Sequence, residues 1–420
     1  MTWAVALFCF FNLTLKAEPP HRALLQEAAA AAKAGDPSTM IAKLEAVRAL
    51  RPDYPRVLLG LARAYAAAGK GDEAVACLRE LADMGLVMNV GPDDAFAALR
   101  ARPDFAAVER AFTANAGAST TSGDETAWAI TDMDGIIEAV ATHPATRETF
   151  FSDVRNRCIW VRDVSGPTAA MRRFSADSDG LLGVFALKFD ATGQTLWAAS
   201  AAVPEMQGYA AADQGRALLA EYDLASRRLR RTWAVPADGR PHVLGDFAFG
   251  PDGAIYATDS AAPVVWRLGP GGTRLEPWLE SDDFVSLQGV AAAPDGRSLF
   301  LADYANGLWQ VALDSGRHRL LRPPAHATFF GIDGLYAVPA GLIAVQNGVH
   351  PQRVLQITLD STGQPTAAAV LRVGHPAMTD AALGEVVNGS FQLVANSGWS
   401  LAEGALTPRM ITLLSTRLQP

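Results

Sequence analysis

Alternation of apolar and polar residues dominates the last two thirds of the chain. Residues 249 to 259 read FGPDGAIYATD, and residues 292 to 303 read AAPDGRSLFLAD, about 43 positions later. In both segments a Pro-Asp-Gly turn joins two alternating apolar runs, which is typical of a β-hairpin. Weaker copies occur at 143–153, 189–200, 338–347 and 387–396. A β-type repeat with a period of roughly 40 to 50 residues predicts the blades of a propeller.

The six copies set the number of blades. Residues 128–420 divided by six give about 49 residues for each blade, within the usual range for propellers. Each copy ends in a small polar residue: Asp153, Ser200, Asp259, Asp303, Asn347 or Asn396. We expect these strand-exit residues to cap the turn that follows the second strand of each blade. The fold predicted for residues 128–420 is an all-β six-bladed propeller.

The first quarter of the chain follows a helical period instead. Residues 55–85 read PRVLLGLARAYAAAGKGDEAVACLRELADMG, with apolar residues spaced for two packed helices and a glycine-rich turn at 69–71. This segment resembles a tetratricopeptide repeat, and a weaker copy over residues 21–54 gives a spacing of 34 residues. We predict an α-helical repeat domain over residues 21–113. Such arrays commonly bind peptides or protein partners.

Two further segments flank this domain. Residues 114–127 are small and polar and lack apolar periodicity, which is typical of a linker. Residues 1–17 contain an apolar run that is too short to span a bilayer and resembles a secretory signal peptide ending at Ala17. We therefore expect a periplasmic or secreted protein without a membrane span. The protein is cytoplasmic if this segment is not a signal.

Composition narrows the range of functions. The chain has 420 residues, of which 50% are hydrophobic, so it can bury a large core. Acidic residues exceed basic ones by eight and no long basic cluster occurs, which argues against a nucleic-acid partner. After residue 17 only Cys77 and Cys158 remain, too few for a disulfide framework or a cysteine metal site. The G-x-S-x-G, G-x-x-x-x-G-K and H-E-x-x-H motifs are absent from the sequence.

One position in each blade is predicted to face a ligand. The innermost strands of a propeller run along its central channel, so the residues that open these strands point into the channel mouth. In register, the six opening residues are Glu138, Gly183, Gly245, Gln288, Asp333 and Gly384. The three with side-chain oxygens are candidate ligands of a hard divalent cation, which takes carboxylate and amide oxygens. The alternative is that they bond only to water and backbone in a polar channel.

Three of these positions carry a family resemblance. Over about 290 residues the chain resembles the gluconolactonase and regucalcin (senescence marker protein) family of six-bladed propellers. The resemblance is carried by the blade phrases, by Glu138, and by Gln288 and Asp333, both of which precede a Gly. The resemblance implies that Glu138, Gln288 and Asp333 bind a divalent metal, calcium or zinc. It also implies metal-assisted hydrolysis of lactones or small esters, in which Asp333 or Glu138 takes the proton of a metal-activated water.

Two further residues are expected to contact a small-molecule ligand. Gln288 stands where that family has Asn, and Gly245 stands where it has an Asn that helps to hold the substrate, with Asp246 beside it. Asp246 is therefore a candidate ligand-binding residue. Gln207 is the second candidate, because it lies in a long connection, residues 203–224, that would reach over the mouth or pack on its rim.

Two classes of function stay open at this point. The first is a metal-dependent hydrolase of lactones or small esters. The second is a non-catalytic propeller that binds a ligand or a protein partner, with the helical repeats as a docking arm. A family resemblance specifies a scaffold more firmly than a reaction.

Overall fold

The computed structural model describes residues 20–120, 125–162, 171–402 and 407–418. In these ranges the chain forms an N-terminal helical domain and six four-stranded sheets, so the predicted helical repeats and six-bladed propeller are both confirmed. The predicted signal peptide at 1–17 lies outside the described residues. Cys77 and Cys158 are buried and unpaired. None of the described helices has the length and apolar character needed to cross a membrane.

The helical domain is built from short helices that pack in neighbouring pairs. They are α1 (Pro20–Lys33), α2 (Pro37–Leu50), α3 (Pro55–Ala67), α4 (Gly71–Asp83) and α5 (Pro103–Ala116), with a 3-10 helix (Asp94–Leu99) before α5. Proline begins α2, α3 and α5, where its missing N–H would have no helical partner in any case. Ala62 of α3 and Ala74 of α4 are fully buried, and their small side chains let the two helices approach closely.

Each blade is an antiparallel sheet, and in blades 1 to 5 the four strands follow the chain from the innermost strand outwards. Blade 1 contains β2 (Ile137–Thr142), β3 (Thr149–Asp153), β4 (Cys158–Arg162) and β5 (Met171–Arg173). Blade 2 contains β6 (Gly183–Phe189), β7 (Thr195–Ala201), β8 (Ala217–Asp223) and β9 (Arg228–Ala234). Blade 3 contains β10 (Leu244–Phe249), β11 (Ile255–Asp259), β12 (Val264–Leu268) and β13 (Glu276–Glu280).

The remaining blades complete the ring. Blade 4 contains β14 (Leu287–Ala292), β15 (Ser298–Asp303), β16 (Gly307–Ala312) and β17 (His318–Leu320). Blade 5 contains β18 (Gly334–Val338), β19 (Gly341–Gln346), β20 (Arg353–Leu359) and β21 (Pro365–Val373). Blade 6 contains β22 (Gly384–Val387), β23 (Ser390–Val394), β24 (Arg409–Arg417) and, as its outer strand, β1 (Glu125–Met133).

Strand β1 closes the ring from the other end of the chain. It pairs antiparallel with β24, from Glu125 opposite Thr416 to Met133 opposite Arg409. This pairing joins the two ends of the propeller sequence, which leaves no open blade between them. The strand begins at Glu125, three residues before the predicted start of the propeller at 128, and α5 continues to Ala116 rather than ending at 113. No Pro or Gly stops that helix before Gly117.

All six inner strands begin at the same end of the central channel, which we call the mouth. Opening residues of neighbouring blades bond to one another there: the N–H of Gly289 donates to Asp333 O at 2.6 Å, and the N–H of Leu383 donates to Glu138 O at 2.9 Å. The Pro-Asp-Gly turns at Pro251 and Pro294 join first to second strands and therefore lie on the opposite face. The repeat phrase thus marks each blade at the end remote from the mouth.

The helical domain packs on the mouth face, against the connections of blades 4 and 5. The ring of Tyr54 lies 5.2 Å from that of Phe330, in the connection before β18. The buried guanidinium of Arg51 bonds to the carbonyl and the side chain of Asn306, in the turn after β15. Because both connections leave the propeller at the mouth, the helices stand beside the channel opening.

A second group of contacts fixes the segment that follows α4. Arg353 is buried and donates from Nη1 to the carbonyl oxygen of Met84 at 2.8 Å. The N–H of Val87 donates to His350 O at 2.8 Å. The helical domain is therefore attached to the propeller by buried side chains as well as by the linker.

Candidate functional site

The inner strands of blades 1 to 4 carry β-bulges at the mouth. In blade 1, Glu138 and Ala139 together face one residue of the second strand, and in blade 4 Gln288 and Gly289 do the same. Blades 2 and 3 carry single-residue bulges at the same level. The N–H of Ala139, released from the ladder, donates to Ser152 Oγ at 2.8 Å. Bulges redirect the chain and its side chains. In blades 1, 3 and 4 they include the opening residues Glu138, Gly245 and Gln288, whereas in blade 2 the extra residue is Phe185 rather than Gly183.

Glu138 lies buried at the mouth, with 6% of its surface exposed. Its Oε2 accepts a hydrogen bond from Nε1 of Trp399. Burial and then the negative charge of Asp333 raise the pKa of Glu138 well above its ordinary value, and the bond from Trp399 opposes them. No cationic side chain among the described residues contributes to this balance. Glu138 therefore favours a proton or a bound cation.

Asp333 directly precedes β18 and shares the mouth with Glu138. Its Oδ2 accepts a hydrogen bond from Nδ2 of Asn347 at 2.6 Å. Burial raises the pKa of Asp333 to about 6, helped by the charges of Asp246 and Asp380, while the bond from Asn347 lowers it. The structure thus brings together two of the three predicted metal ligands as a pair of carboxyl groups near other negative charges.

Gln288, the third predicted ligand, is held by two serines. Its Oε1 accepts from Ser260 Oγ at 3.1 Å, and its Nε2 donates to Ser286 Oγ at 3.1 Å. A Cβ added at Gly245 would lie 2.7 Å from Ser260 Oγ and 3.3 Å from Gln288 Oε1. Ser260 Oγ, and less closely Oε1 of Gln288, therefore occupy the space that a side chain at 245 would need.

Asp246 ties three blades together at the mouth. Its Oδ1 lies 2.7 Å from Nζ of Lys188 in blade 2, and its Oδ2 accepts the N–H of Val290 in blade 4 at 3.1 Å. Within this buried carboxylate Oδ2 is hydrogen-bonded, whereas Oδ1 is neutralised by the charge of Lys188 without a hydrogen bond from the described residues. Its role in ligand binding stays a prediction.

Gln207 lies on the rim between blades 1 and 2. Its side chain is exposed, and Nε2 donates to Oδ1 of Asn156 at 2.8 Å. The neighbouring Met206 is buried against Leu182, which packs this connection onto the rim. A ligand contact by Gln207 also stays a prediction.

Sequence reasoning missed several residues that complete the mouth. The hydroxyl of Tyr336 accepts the N–H of Gly384 at 2.6 Å, and burial followed by the charge of Asp246 raises the pKa of Tyr336. Burial and the charge of Asp333 raise the pKa of Tyr304. Tyr304 directly follows a strand-exit residue, as Ser260 does, so extending the register by one position would have found it. No repeat signal marks Trp399.

Asn347 was predicted only to cap a turn, and its amide does more than this. Nδ2 donates to Asp333 Oδ2 and to the carbonyl oxygen of Ala381, the latter at 2.9 Å. These two acceptors orient the amide, and its Oδ1 is left buried without a hydrogen-bond donor in the described part of the chain. A buried acceptor without a partner is costly unless a ligand, ion or water meets it.

The carboxylate and amide oxygens at the mouth meet some of the requirements of a hard cation. Within the described ranges no group of three His, Cys, Asp or Glu side chains is placed to hold a metal ion. Glu138 and Asp333 each use one oxygen in a side-chain hydrogen bond, and Oδ1 of Asn347 adds an unused amide oxygen. Two carboxylates with an amide oxygen are chemically suitable for calcium, with water completing the shell. The donor types therefore suit such an ion, although the described carboxylates alone do not form a set of three ligands.

Fold and site together define a six-bladed propeller with an acidic mouth and a helical domain beside it. Residues 23–102 match the family model of the tetratricopeptide repeat. No curated protein sequence is significantly similar to the chain.

Several solved structures are similar to a large part of the chain. A gluconolactonase from Xanthomonas campestris is 16% identical with a TM-score of 0.48, over 70% of this chain and 90% of that one. A structural-genomics protein bearing the gluconolactonase name is 19% identical with a TM-score of 0.46, over 72% and 96%. Virginiamycin B lyase from Staphylococcus aureus is 11% identical with a TM-score of 0.46, over 65% and 83%. At such low identity none of these activities transfers to this chain.

Proposed function

We propose that the mouth binds a small cyclic ester together with a divalent cation, calcium or zinc, and hydrolyses the ester. The observation that supports this most is the pair of carboxyl groups of the buried Glu138 and the partly buried Asp333, which lie in each other's field without a cationic partner among the described residues. Keeping like charges together in a buried site costs stability unless a proton, a cation or a ligand compensates them.

The oxygens outside existing side-chain hydrogen bonds are the proposed cation ligands. These are Oε1 of Glu138, Oδ1 of Asp333 and Oδ1 of Asn347. Gln288 would join them only by giving up its bond from Ser260, since Oε1 already accepts that hydroxyl. Asn347 thus takes the amide role that the family resemblance assigned to Gln288.

The reaction assigned to the site is lactone hydrolysis. A divalent cation bound there would polarise the ester carbonyl and lower the pKa of a bound water. Asp333 is only partly buried and is the proposed proton acceptor. Water adds to the acyl carbon, the ring C–O bond breaks, and the proton held by Asp333 passes to the leaving alkoxide. The product is the open-chain hydroxy acid. Trp399 fixes Glu138 in place through its indole N–H.

Thermal unfolding with added metals tests this proposal. Metal-free full-length protein is titrated with calcium, zinc and manganese, and hydrolysis of a lactone panel is measured in parallel. A cation that binds only the folded state stabilises it by about 2.7 kcal/mol at a concentration 100 times its Kd. We expect this stabilisation in the wild type and its loss in Glu138→Gln and Asp333→Asn.

Glu385 supplies a matched control. It is a partly buried carboxyl further along the channel, on β22, and the N–H of Thr142 donates to it at 2.9 Å. Glu385→Gln should keep the full metal-induced shift, whatever its own stability. Identical metal responses in wild type, Glu138→Gln and Asp333→Asn would contradict the proposal, as would failure of every metal to support hydrolysis.

The second candidate is a non-catalytic binding protein. The observation in its favour is the helical repeat, which matches the tetratricopeptide model and stands beside the mouth. This candidate predicts that lactones or metals raise the melting temperature without any turnover. The same titration therefore separates the two.

A further inference from the structure

Trp399 spans three blades at the mouth. It lies in the connection between β23 and β24 of blade 6, and its indole N–H donates to Glu138 of blade 1. Its ring stacks on that of Phe185 in blade 2, with centroids 6.0 Å apart and planes inclined by 29°. Two stacked aromatic rings thus lie directly beside the carboxyl pair.

Both rings are attached to well-fixed backbone. Oδ2 of Asp380 accepts the N–H groups of Gly398 at 3.0 Å and Ser400 at 2.9 Å, the residues on either side of Trp399. Phe185 is the extra residue of the bulge in β6, and its carbonyl accepts from Ser152 Oγ at 3.1 Å. A binding surface held in this way loses little conformational freedom when it is occupied.

The two rings differ in exposure. Phe185 is 9% exposed, whereas Trp399 is partly exposed. The one polar atom of the indole is already bonded to Glu138. The surface that Trp399 presents is therefore apolar and flat, and such surfaces favour stacking with other flat rings.

The polar groups nearby are mostly engaged with one another. Gln288 uses both ends of its amide, and Asp246 uses both carboxylate oxygens. The amide nitrogen of Asn347 has two acceptors. The unused oxygens of Glu138, Asp333 and Asn347 are the proposed cation ligands, which leaves mainly the hydroxyls of Tyr304 and Tyr336. A ligand with many hydroxyl groups needs a partner for each one it buries, and two phenol hydroxyls are few. The mouth favours a ligand with one reactive polar group and an apolar ring.

We propose that Trp399 and Phe185 form an aromatic platform that binds a flat apolar ring next to the carboxyl pair, so that the substrates are aryl-fused or aryl-bearing lactones rather than polyhydroxylated ones. This inference rests on the proposed function for the identity of the reacting group. The platform itself is a binding site and can be tested without turnover.

Lactams serve as probes that resist hydrolysis. Binding of 3,4-dihydro-2-quinolinone and of 2-piperidone, which share the six-membered lactam and differ by a fused benzene ring, is measured by calorimetry on the full-length protein with and without calcium. We expect the bicyclic lactam to bind at least about fivefold more tightly, the size of a typical aromatic stacking contribution. Trp399→Leu should reduce this ratio towards one, and Trp399→Phe should retain most of it.

Trp278→Leu is the matched control. Trp278 is partly exposed on the outer strand β13, where its ring packs against Tyr256, away from the mouth. Trp278→Leu should leave the ratio of the two lactam affinities unchanged. Trp399→Phe is a second control, because it also loses the indole N–H and has a smaller side chain. If it retains the ratio, the drop in Trp399→Leu comes from loss of the aromatic ring.

Three results overturn the platform: a ratio near one in the wild type, a ratio unchanged in Trp399→Leu, or no binding of either lactam. The corresponding lactones, dihydrocoumarin and δ-valerolactone, are assayed for hydrolysis in parallel. Trp399-dependent lactam binding without lactone hydrolysis keeps the platform and refutes the hydrolase. Hydrolysis of both lactones at rates independent of the ring at 399 keeps the hydrolase and refutes the platform.

Discussion

Buried carboxyl groups occur in two regions of the propeller, the strand-exit turns and the mouth, and their surroundings differ. Asp259, at the end of β11, is fully buried. Its oxygens accept hydrogen bonds from the N–H groups of Val243, Ala261 and Ala262 and from Nε1 of Trp266. Asp303 likewise accepts three backbone N–H groups. The predicted capping role is confirmed for these residues.

The mouth carboxyls have fewer donors and more negative neighbours. Glu138 and Asp333 each accept one side-chain hydrogen bond, and burial, followed by the charges of surrounding carboxylates, raises the pKa of both. A buried carboxylate whose oxygens are saturated by N–H groups stabilises a turn. One that retains unused oxygens beside another negative charge is suited to binding a proton or a cation. The number of donors distinguishes the two roles where residue type and burial do not.

Removing a saturated carboxylate should have the largest effect. Asp259→Ala leaves several buried N–H groups without an acceptor, and we expect a loss of about 3–4 kcal/mol in the free energy of unfolding. Urea unfolding measures this. The exposed Asp314 gives the control, since Asp314→Ala should change stability by less than about 0.5 kcal/mol. Equal losses in the two variants would remove the distinction between the regions.

Neutralising a mouth carboxyl should act in the opposite direction. In metal-free protein, Asp333→Asn or Glu138→Gln removes repulsion within the pair, and we expect a gain of about 1–3 kcal/mol in the free energy of unfolding. Glu385→Gln, which weakens bonds from Thr142 and Gln392, should lose stability instead. A loss in all three variants would show that the mouth carboxyls are structural, as Asp259 is.

The pH dependence of stability sharpens the same comparison. Burial raises the pKa of Asp333 to about 6 from its ordinary value of 3.8. Between these two pH values the unfolded chain has released the proton that the folded protein still holds, so folded stability should fall as pH rises from about 4 to about 6. The full effect is up to about 3 kcal/mol, or roughly two pKa units.

The measurement is the unfolding free energy of metal-free wild type minus that of Asp333→Asn across this pH range. The difference should become less favourable to the wild type with rising pH and level off above about pH 6. A difference that is flat, or that rises with pH, would refute the assignment.

The smallest effect is expected at His242, which belongs to the strand-exit region. Its Nδ1 lies 2.6 Å from Oδ2 of Asp259 and its Nε2 lies 2.9 Å from Oδ1 of Asp238. Burial lowers the pKa of His242, but the bonds and charges of these aspartates outweigh it, so the pKa is raised above 6.5. The stability gained from this raised pKa is present below pH 6.5 and is lost as pH rises through the folded pKa.

Substituting this histidine should therefore make the free energy of unfolding less dependent on pH above neutrality. We expect His242→Gln to remove the part of the stability that the wild type loses as pH rises above 6.5. The exposed His326, whose φ of 59° is tolerated by asparagine, supplies the control His326→Asn. A slope that His242→Gln leaves unchanged would assign the pH dependence to other groups.

Much of the candidate site followed from the repeat register. The register placed Glu138, Gln288 and Asp333 at the channel opening, because equivalent positions in successive blades occupy equivalent places around the ring. It did not show which oxygens are already bonded. That depends on neighbouring blades: Ser260 of blade 3 engages Gln288 of blade 4, and the unused amide oxygen belongs to Asn347.

The sequence by itself determined the helical repeats, the number of blades and the opening residues, because periods of 3.6 and 2 residues and a repeated turn are local properties. Tertiary structure alone decided the contacts between distant segments. Trp399 reaches Glu138 across 261 positions, and Arg51 joins the helical domain to Asn306 across 255. Strand β1 closes blade 6 by pairing with β24. Such pairs share no period, and their partners are fixed only when the ring closes and the helices pack on its mouth face.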